Sequence, residues 1–140
     1  MKKNSTKKAF TIIELMVVIT IIGILASLVA PKFMKQLEGA KVKTTKAQME
    51  MFSTSLDSFN IDVGRYPTES EGLKVLWTKN KDIKGYDGLY LPKPAEKDAW
   101  GNPYIYTQTS DDHGFNILSY GKDGKEGGSG KSQDILLWEN

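Results

Sequence analysis

From Lys8 to Pro31 the chain reads K-A-F-T-I-I-E-L-M-V-V-I-T-I-I-G-I-L-A-S-L-V-A-P. A basic head of Lys2, Lys3, Lys7 and Lys8 runs into this apolar stretch, and no charge occurs between Leu15 and Ala30. About 20 apolar residues suit one bilayer-spanning helix, which fixes the start of the chain before anything else is considered. A secretory signal peptide has a shorter apolar part and a small-residue cleavage site after it. Here Pro31-Lys32-Phe33 follows instead, so the apolar run is expected to be retained and any processing to precede it. Glu14 is the anomaly. An acidic group at the centre of a membrane helix costs roughly 2.5–3.5 kcal/mol on insertion scales, so a partner for it is expected.

The segment K-K-A-F-T-I-I-E-L resembles the class III leader and mature N-terminus of type IV pilins and pseudopilins. The resemblance implies that a prepilin peptidase/methyltransferase cuts between Ala9 and Phe10 on the cytoplasmic side and methylates the new Phe10 amine. Glu14 then becomes the fifth residue of the mature chain, the position of the family's glutamate. Ala9 departs from the pattern, since the family nearly always has Gly before the cut. Slower processing is the expected result, and Ala9→Gly should raise the cleavage rate of the precursor by the peptidase. Equal rates would remove the idea.

Composition narrows the rest. Of 140 residues about 110 remain beyond the leader and membrane helix, enough for one small domain. Cysteine is absent, so disulfide and thiol chemistry are excluded. The formal charge of +2 becomes −2 once the four head lysines are removed. The basic balance therefore belongs to the leader and gives no reason to expect nucleic acid as a partner. Those lysines fit the positive-inside rule, with the N-terminus cytoplasmic and the C-terminal domain outside.

Pro31 is expected to kink or locally unwind the helix. Beyond it, Phe33, Leu37, Ala40, Thr44, Ala47, Met51, Ser55, Leu56 and Phe59 recur at three- and four-residue steps. This predicts one long helix from about Phe10 to Asn60, apolar all round at first and amphipathic later. Asp62-Val-Gly-Arg-Tyr-Pro67 ends it. Thr68 and Glu71 have the spacing of a capping box, which predicts a short helix from Glu69 to about Trp77. Leu89–Pro94 is expected to be extended, and Ala99–Pro103 a turn. Tyr104–Thr107 and Phe115–Tyr120 read as two strands joined by the Ser110–Gly114 turn, and Ile135–Trp138 as a last short strand. A long helix followed by a loop region and a small antiparallel sheet is α+β.

The strings G-R-Y-P-T-E-S-E-G-L-K-V-L-W, L-P-K-P-A-E-K-D-A-W-G-N-P-Y-I-Y and I-L-S-Y-G-K-D-G-K-E-G-G extend the resemblance over nearly the whole chain. They are similar to one subgroup, the major pseudopilins of bacterial type II secretion. That resemblance implies a pilin-like fold: leader 1–9, transmembrane and assembly helix 10–31, periplasmic globular domain 32–140. Within the domain it places an amphipathic helix at 32–60, a loop region at 61–103, and a sheet with a calcium loop at 104–140.

Two places carry candidate chemistry. Glu14 is expected to meet the Phe10 ammonium of a neighbouring subunit. Desolvation offsets much of such a pair's attraction, so its value would be registry: an unmatched carboxylate is penalised until it docks at the right step. The second place is the glycine-rich loop Gly121–Asp134. Ca²⁺ takes six to eight oxygens, some of them backbone carbonyls, and glycines let a loop wrap closely enough to present them. Asp123 and Asp134 have the separation of an EF-hand's end positions, but Lys125 stands where a ligand should be, the last position is Asp, and no helices flank it. By the residues alone, a glycine loop with solvated carboxylates is slightly favoured over a metal site. The resemblance implies a calcium site of a different kind, with Asp123 as first acidic ligand, the Tyr120 and Lys125 carbonyls as further ligands, and Asp134 as second carboxylate.

His113 reads as an exposed turn residue, and the serines lack a base partner or a phosphate-binding loop. Trp77, Trp100, Tyr104 and Tyr106 read as core rather than as a ligand platform. No catalytic residue is predicted. The expectation is a structural subunit in the inner membrane that polymerises through its apolar helix, with Gly23, Ala26, Ser27 and Ala30 permitting close helix approach. The resulting periplasmic pseudopilus would drive export of folded proteins across the outer membrane. Its implied partners are further copies of the chain, minor pseudopilins, the assembly platform and a cytoplasmic ATPase. A type IV or competence-type pilin, whose surface filament binds substrate or DNA, is the alternative of similar shape. A membrane-anchored periplasmic enzyme or calcium module is the rival of another class; a cleavable leader and Glu14 count against it.

Overall fold

The computed structural model describes residues 9–138. The expected leader, apart from Ala9, lies outside the described residues. Two compact units are present, one reaching to Leu37 and the other beginning at Glu38.

Helix α1 spans Ile12–Val63, 52 residues, starting and ending slightly later than expected. It continues unbroken through Pro31, so the local unwinding expected there does not occur. Proline removes one donor from the ladder, but its fixed φ is itself helical, and the turns on either side keep their own bonds. The helix ends at Gly64, which adopts φ 81° while its N–H donates to the Asn60 carbonyl (2.8 Å). A left-handed glycine just past the last turn is a common helix stop.

In the first unit the apolar side chains of α1 are exposed, from Ile12 and Ile13 to Val29 and Phe33. By length and composition this is the one helix among the described residues apolar enough to cross a membrane.

In the second unit α1 buries Thr45, Met49, Phe52, Ser55, Leu56 and Phe59. They pack with Leu73, Val75, Leu76, Leu91, Phe115, Ile117 and Ile135 to form the core. The stripe expected to face inward is therefore only partly right. Ser55, Leu56 and Phe59 are buried, whereas Phe33, Leu37, Ala40, Thr44, Ala47 and Met51 are exposed. Two stripes at helical spacing run along this segment, and the one carrying Met49 and Phe52 meets the sheet.

The predicted helix from Glu69 to Trp77 is also corrected. The capping box forms: the Thr68 N–H donates to Glu71 Oε2 (2.8 Å) and the Glu71 N–H to Thr68 Oγ1 (3.3 Å). An α-helix does not follow, only turns and a 3₁₀ helix at Leu73–Leu76. Gly72, at φ 54°, interrupts the helical path one residue after the box. Leu89–Pro94, expected to be extended, bends at Tyr90, Leu91, Pro92 and Lys93.

Strands β1 (Ile105–Gln108), β2 (Phe115–Ser119) and β3 (Ile135–Leu136) form an antiparallel sheet in the order β1-β2-β3. Tyr106 pairs with Ile117 and Ser119 with Ile135. Along β2, Phe115, Ile117 and Ser119 face inward. Ser119 thus ends an apolar row with a buried hydroxyl. Tyr104 stacks edge-on to Phe52 at 5.0 Å between centroids, and Trp77 lies tilted against the same ring. Trp77, Tyr104 and Tyr106 are half-buried around the core, as expected of them. His113 is an exposed turn residue stacked on Trp138.

Arg65 and Glu71 clamp the turn after α1. The guanidinium donates to both carboxylate oxygens, at 2.7 and 2.8 Å. This partner, aided by the Thr68 amide and opposed by burial, holds the Glu71 carboxyl at about 2, against an ordinary 4.5. A depressed carboxyl stabilises the fold above its unfolded value and loses that contribution as pH falls through its folded value. Arg65 is substantially exposed, so the net worth is set at about 1 kcal/mol, well below the full shift. Glu71→Gln should therefore lower stability by about 1 kcal/mol at pH 7, with the gap closing between pH 4.5 and 2 in urea unfolding. A gap that ignores pH would refute the assignment.

Candidate functional site

The loop from Gly121 to Asp134 connects β2 to β3. It passes through turns at 121–124 and a 3₁₀ helix at Gly130–Ser132 before entering β3. The fold brings Asp123 and Asp134, the two expected carboxylates, to one pair of glycines. The Gly127 N–H donates to Asp134 Oδ2 (2.8 Å). A Cβ placed on Gly128 would lie 3.5 Å from Asp123 Oδ2 and collide with the Ser132 carbonyl oxygen. Only glycine fits there, because a side chain would meet the Ser132 carbonyl. Asp123 Oδ1 accepts the Lys125 N–H (3.1 Å), an Asx turn that orients the carboxylate.

Asp134 Oδ1 is buried and accepts no hydrogen bond. Such an oxygen carries an uncompensated desolvation cost unless a cation or donor meets it. Among the described residues no group of three or more His, Cys, Asp and Glu gathers. A cation here would therefore complete its shell from carbonyl oxygens, the chemistry of a hard ion such as Ca²⁺ rather than of zinc. The Tyr120 and Lys125 carbonyls flank Asp123 in the chain. The Ser132 carbonyl, which the sequence does not single out, lies against Gly128.

A second cluster lies beneath the loop. Asp98 is 6% exposed. Its Oδ1 accepts the N–H groups of Trp100 (2.9 Å) and Asn102 (2.8 Å), and its Oδ2 accepts the Ser119 hydroxyl (2.5 Å). Next to it, Trp100 donates its indole N–H to Glu38 Oε2 on α1 (3.1 Å), and Lys122 approaches Glu38 Oε1 at 3.7 Å. The Trp100 bond holds the Glu38 carboxyl below its ordinary range, with Lys122 and Lys41 adding to the effect against burial. Trp100 is thus a hydrogen-bond donor to the helix as well as a packing residue.

At the other end of the chain, Ala9 and Phe10 are exposed and precede α1. Glu14 lies in the first turn of that helix. Its Oε2 accepts the Thr11 N–H (3.2 Å), and its own N–H donates to Thr11 Oγ1 (3.2 Å). This is a reciprocal capping box, with a negative charge at the favourable end of the helix dipole. The signal was present in the sequence as Thr11-Ile-Ile-Glu14, a T-x-x-E spacing overlooked beside the apolar run.

Residues 32–138 match the family model described as type II secretion system protein G, and residues 4–30 match the prokaryotic N-terminal methylation motif. The chain is 39% identical over 137 residues to type II secretion system core protein G of Pseudomonas aeruginosa, covering 96% of each chain. It is 38% identical to the protein of the same name from Vibrio cholerae, covering 99% of this chain and 96% of that one. Among solved structures it resembles the major pseudopilin of the type 2 secretion system of enterohaemorrhagic Escherichia coli. That likeness has a TM-score of 0.62 at 25% identity, covering 75% of this chain and 92% of the other.

Proposed function

The chain belongs to the type II secretion system protein G family, and from that membership we propose that it is the structural major subunit of a pseudopilus. What carries this reading is that the methylation motif and the protein G match adjoin, the first ending just before Pro31 and the second starting just after it. A motif of membrane-inserted, processed subunits and a subunit-specific domain thus occupy one continuous chain. The type IV and competence pilin alternative gives way to this more specific match.

In this reading the chain waits in the inner membrane with its N-terminus cytoplasmic and its domain periplasmic. The peptidase cuts between Ala9 and Phe10 and methylates Phe10. Copies then associate through the apolar half of α1, whose side chains are exposed in the single chain. A head-to-tail contact that does not close on itself produces an open filament. The Thr11–Glu14 box describes the unassembled chain. On docking, the Phe10 amine of a neighbour replaces the Thr11 amide as the partner of Glu14. Minor pseudopilins, an assembly platform and a cytoplasmic ATPase complete the machine that exports folded proteins.

The Gly121–Asp134 loop holds Ca²⁺ in this reading. Asp123 and Asp134 supply charge, and the carbonyls of Tyr120, Lys125 and Ser132 supply neutral oxygens. The buried, unpartnered Asp134 Oδ1 supports this assignment. The bound ion supplies positive charge and a cross-link across a domain without disulfides.

N-terminal mass analysis of protein extracted from its own cells tests the functional reading. The expected result is a chain beginning at methylated Phe10. A chain that keeps its first nine residues and stays monomeric beside its machinery would overturn it.

A further inference from the structure

We infer that Asp98, Ser119 and Asn102 act as positioning residues that preset the Gly121–Asp134 loop for a divalent cation, an inference that rests on the calcium reading above. Burying Asp98 carries a free-energy cost. A carboxylate removed from water is tolerated only when its lone pairs are met, and here three donors meet it from the Asp98–Asn102 turn and the end of β2. The turn is closed from the other side as well, since the Asp98 N–H donates to the Asn102 carbonyl (2.8 Å).

Ser119 is fully buried. Having given its proton to Asp98, its oxygen is left as an acceptor, and it takes the Gly121 N–H at 3.1 Å. The carbonyl of the same glycine accepts the Asn102 side-chain amide at 2.6 Å. Both polar groups of Gly121 are therefore held by residues that Asp98 itself orients. Gly121 is the first residue of the loop, and its φ of 61° turns the chain toward Asp123 two residues later.

The same anchor acts on both ends of the loop. A Cβ on Gly121 would lie 3.1 Å from the Gln133 carbonyl, the residue before Asp134. Asn102 also packs directly on Gly124, where a Cβ would come within 2.9 Å of its Oδ1. The two carboxylates are thus approached from a common point that is locked from below. A loop so rich in glycine would otherwise lose much chain entropy on wrapping an ion. Bonds already made by Asp98, Ser119 and Asn102 remove part of that loss before the cation arrives. None of the three is offered as a ligand; each acts through Gly121.

The test is a Ca²⁺ titration of the full chain in detergent micelles, followed by tryptophan fluorescence and calorimetry. Ser119→Ala and Asn102→Ala should each weaken Ca²⁺ binding by about tenfold or more, the usual effect of removing an outer-shell partner. Tyr106→Phe, which loses a bond to the Pro67 carbonyl far along the chain, should bind Ca²⁺ like wild type. Thermal melts without calcium show which variants are folded, and Asn102→Ala, at a half-buried site, provides the reading if Ser119→Ala does not fold. A purely structural role would lower the calcium-free melting temperature and leave the affinity unchanged. Wild-type affinity in the folded variants overturns the positioning role and leaves the calcium reading standing. No calcium response in wild type overturns both.

Discussion

Glu14→Ala is expected to insert into the membrane normally and to form almost no filament. The side chain has two roles that point in opposite directions energetically. In the single chain it closes the capping box with Thr11, a contribution of about 1 kcal/mol to the first turn of α1. In the membrane its charge opposes insertion, by less than the roughly 2.5–3.5 kcal/mol of a charge at a helix centre because Glu14 lies in the first turn, so alanine should insert at least as well as wild type. In the assembly proposed above, the carboxylate would face a neighbour's amine. Deleting one partner leaves the other buried and unmatched, at about 3–5 kcal/mol for each docking step. That is a loss of roughly a hundredfold or more per step, compounded along a filament. Glu14→Gln separates the roles, because its amide oxygen still accepts the Thr11 N–H but carries no charge. Filaments counted by electron microscopy after crosslinking should be scarce for both variants. Normal yield from glutamine with loss in alanine would make the helix cap the functional contact. Normal yield from both would remove the ion-pair registry.

Withdrawing calcium from the proposed loop site is expected to have the second large effect. A ligand that binds only the folded state adds about 2.7 kcal/mol when present at a hundred times its dissociation constant. For a domain of about 100 residues this corresponds to a melting temperature higher by about 10–20 °C. EGTA should therefore lower the melting temperature of wild type by that amount, and Mg²⁺ should not restore it, being a smaller ion that demands stricter geometry. Asp134→Asn should show no difference between calcium and chelator. Without calcium it should equal or exceed wild type, because it removes the charge from a carboxylate with one buried, unpartnered oxygen while its amide oxygen still accepts the Gly127 N–H. Differential scanning calorimetry of the full chain in micelles measures all four states. A wild-type melting temperature indifferent to EGTA would sink the calcium assignment.

The legible parts of this chain are those whose information is local. Helix α1 could be read because an uncharged run is visible one residue at a time, and the turn chemistry of Ser110–Gly114 marked the hairpin between β1 and β2. The capping box at Thr68 and Glu71 was read correctly, yet the helix it announced was not there. Gly72 interrupts the backbone, and Tyr86 then anchors the tightened turns by donating to the carbonyls of Val75 and Thr78 (both 3.0 Å). The choice between the two stripes of α1 was not legible. Ala40, Thr44, Ala47 and Met51 have the same spacing as Thr45, Met49, Phe52 and Leu56, and small or weakly polar residues suit either side.

The loop divides in the same way. Asp123 and Asp134 stood out through their separation along a glycine-rich loop and through the family resemblance. Asp98 and Ser119 are 21 residues apart, and Asn102 and Gly121 are 19 apart. Nothing in their neighbours signals that they meet. A buried polar network has no periodicity, because its members are chosen by mutual satisfaction and not by the face they present to water.

Composition and short-range spacing alone determined that this chain begins with a helix apolar enough to cross a membrane, continues as a helix and closes in a small sheet. They did so because solvent transfer and backbone geometry act on each residue where it stands. Packing decided which side of α1 is inside, which carbonyl lies against Gly128, and how a buried aspartate is bonded to the turn and strand end beside the glycine loop. Those outcomes depend on atoms brought together by the fold, whose energies exist only once distant segments exclude water from one another.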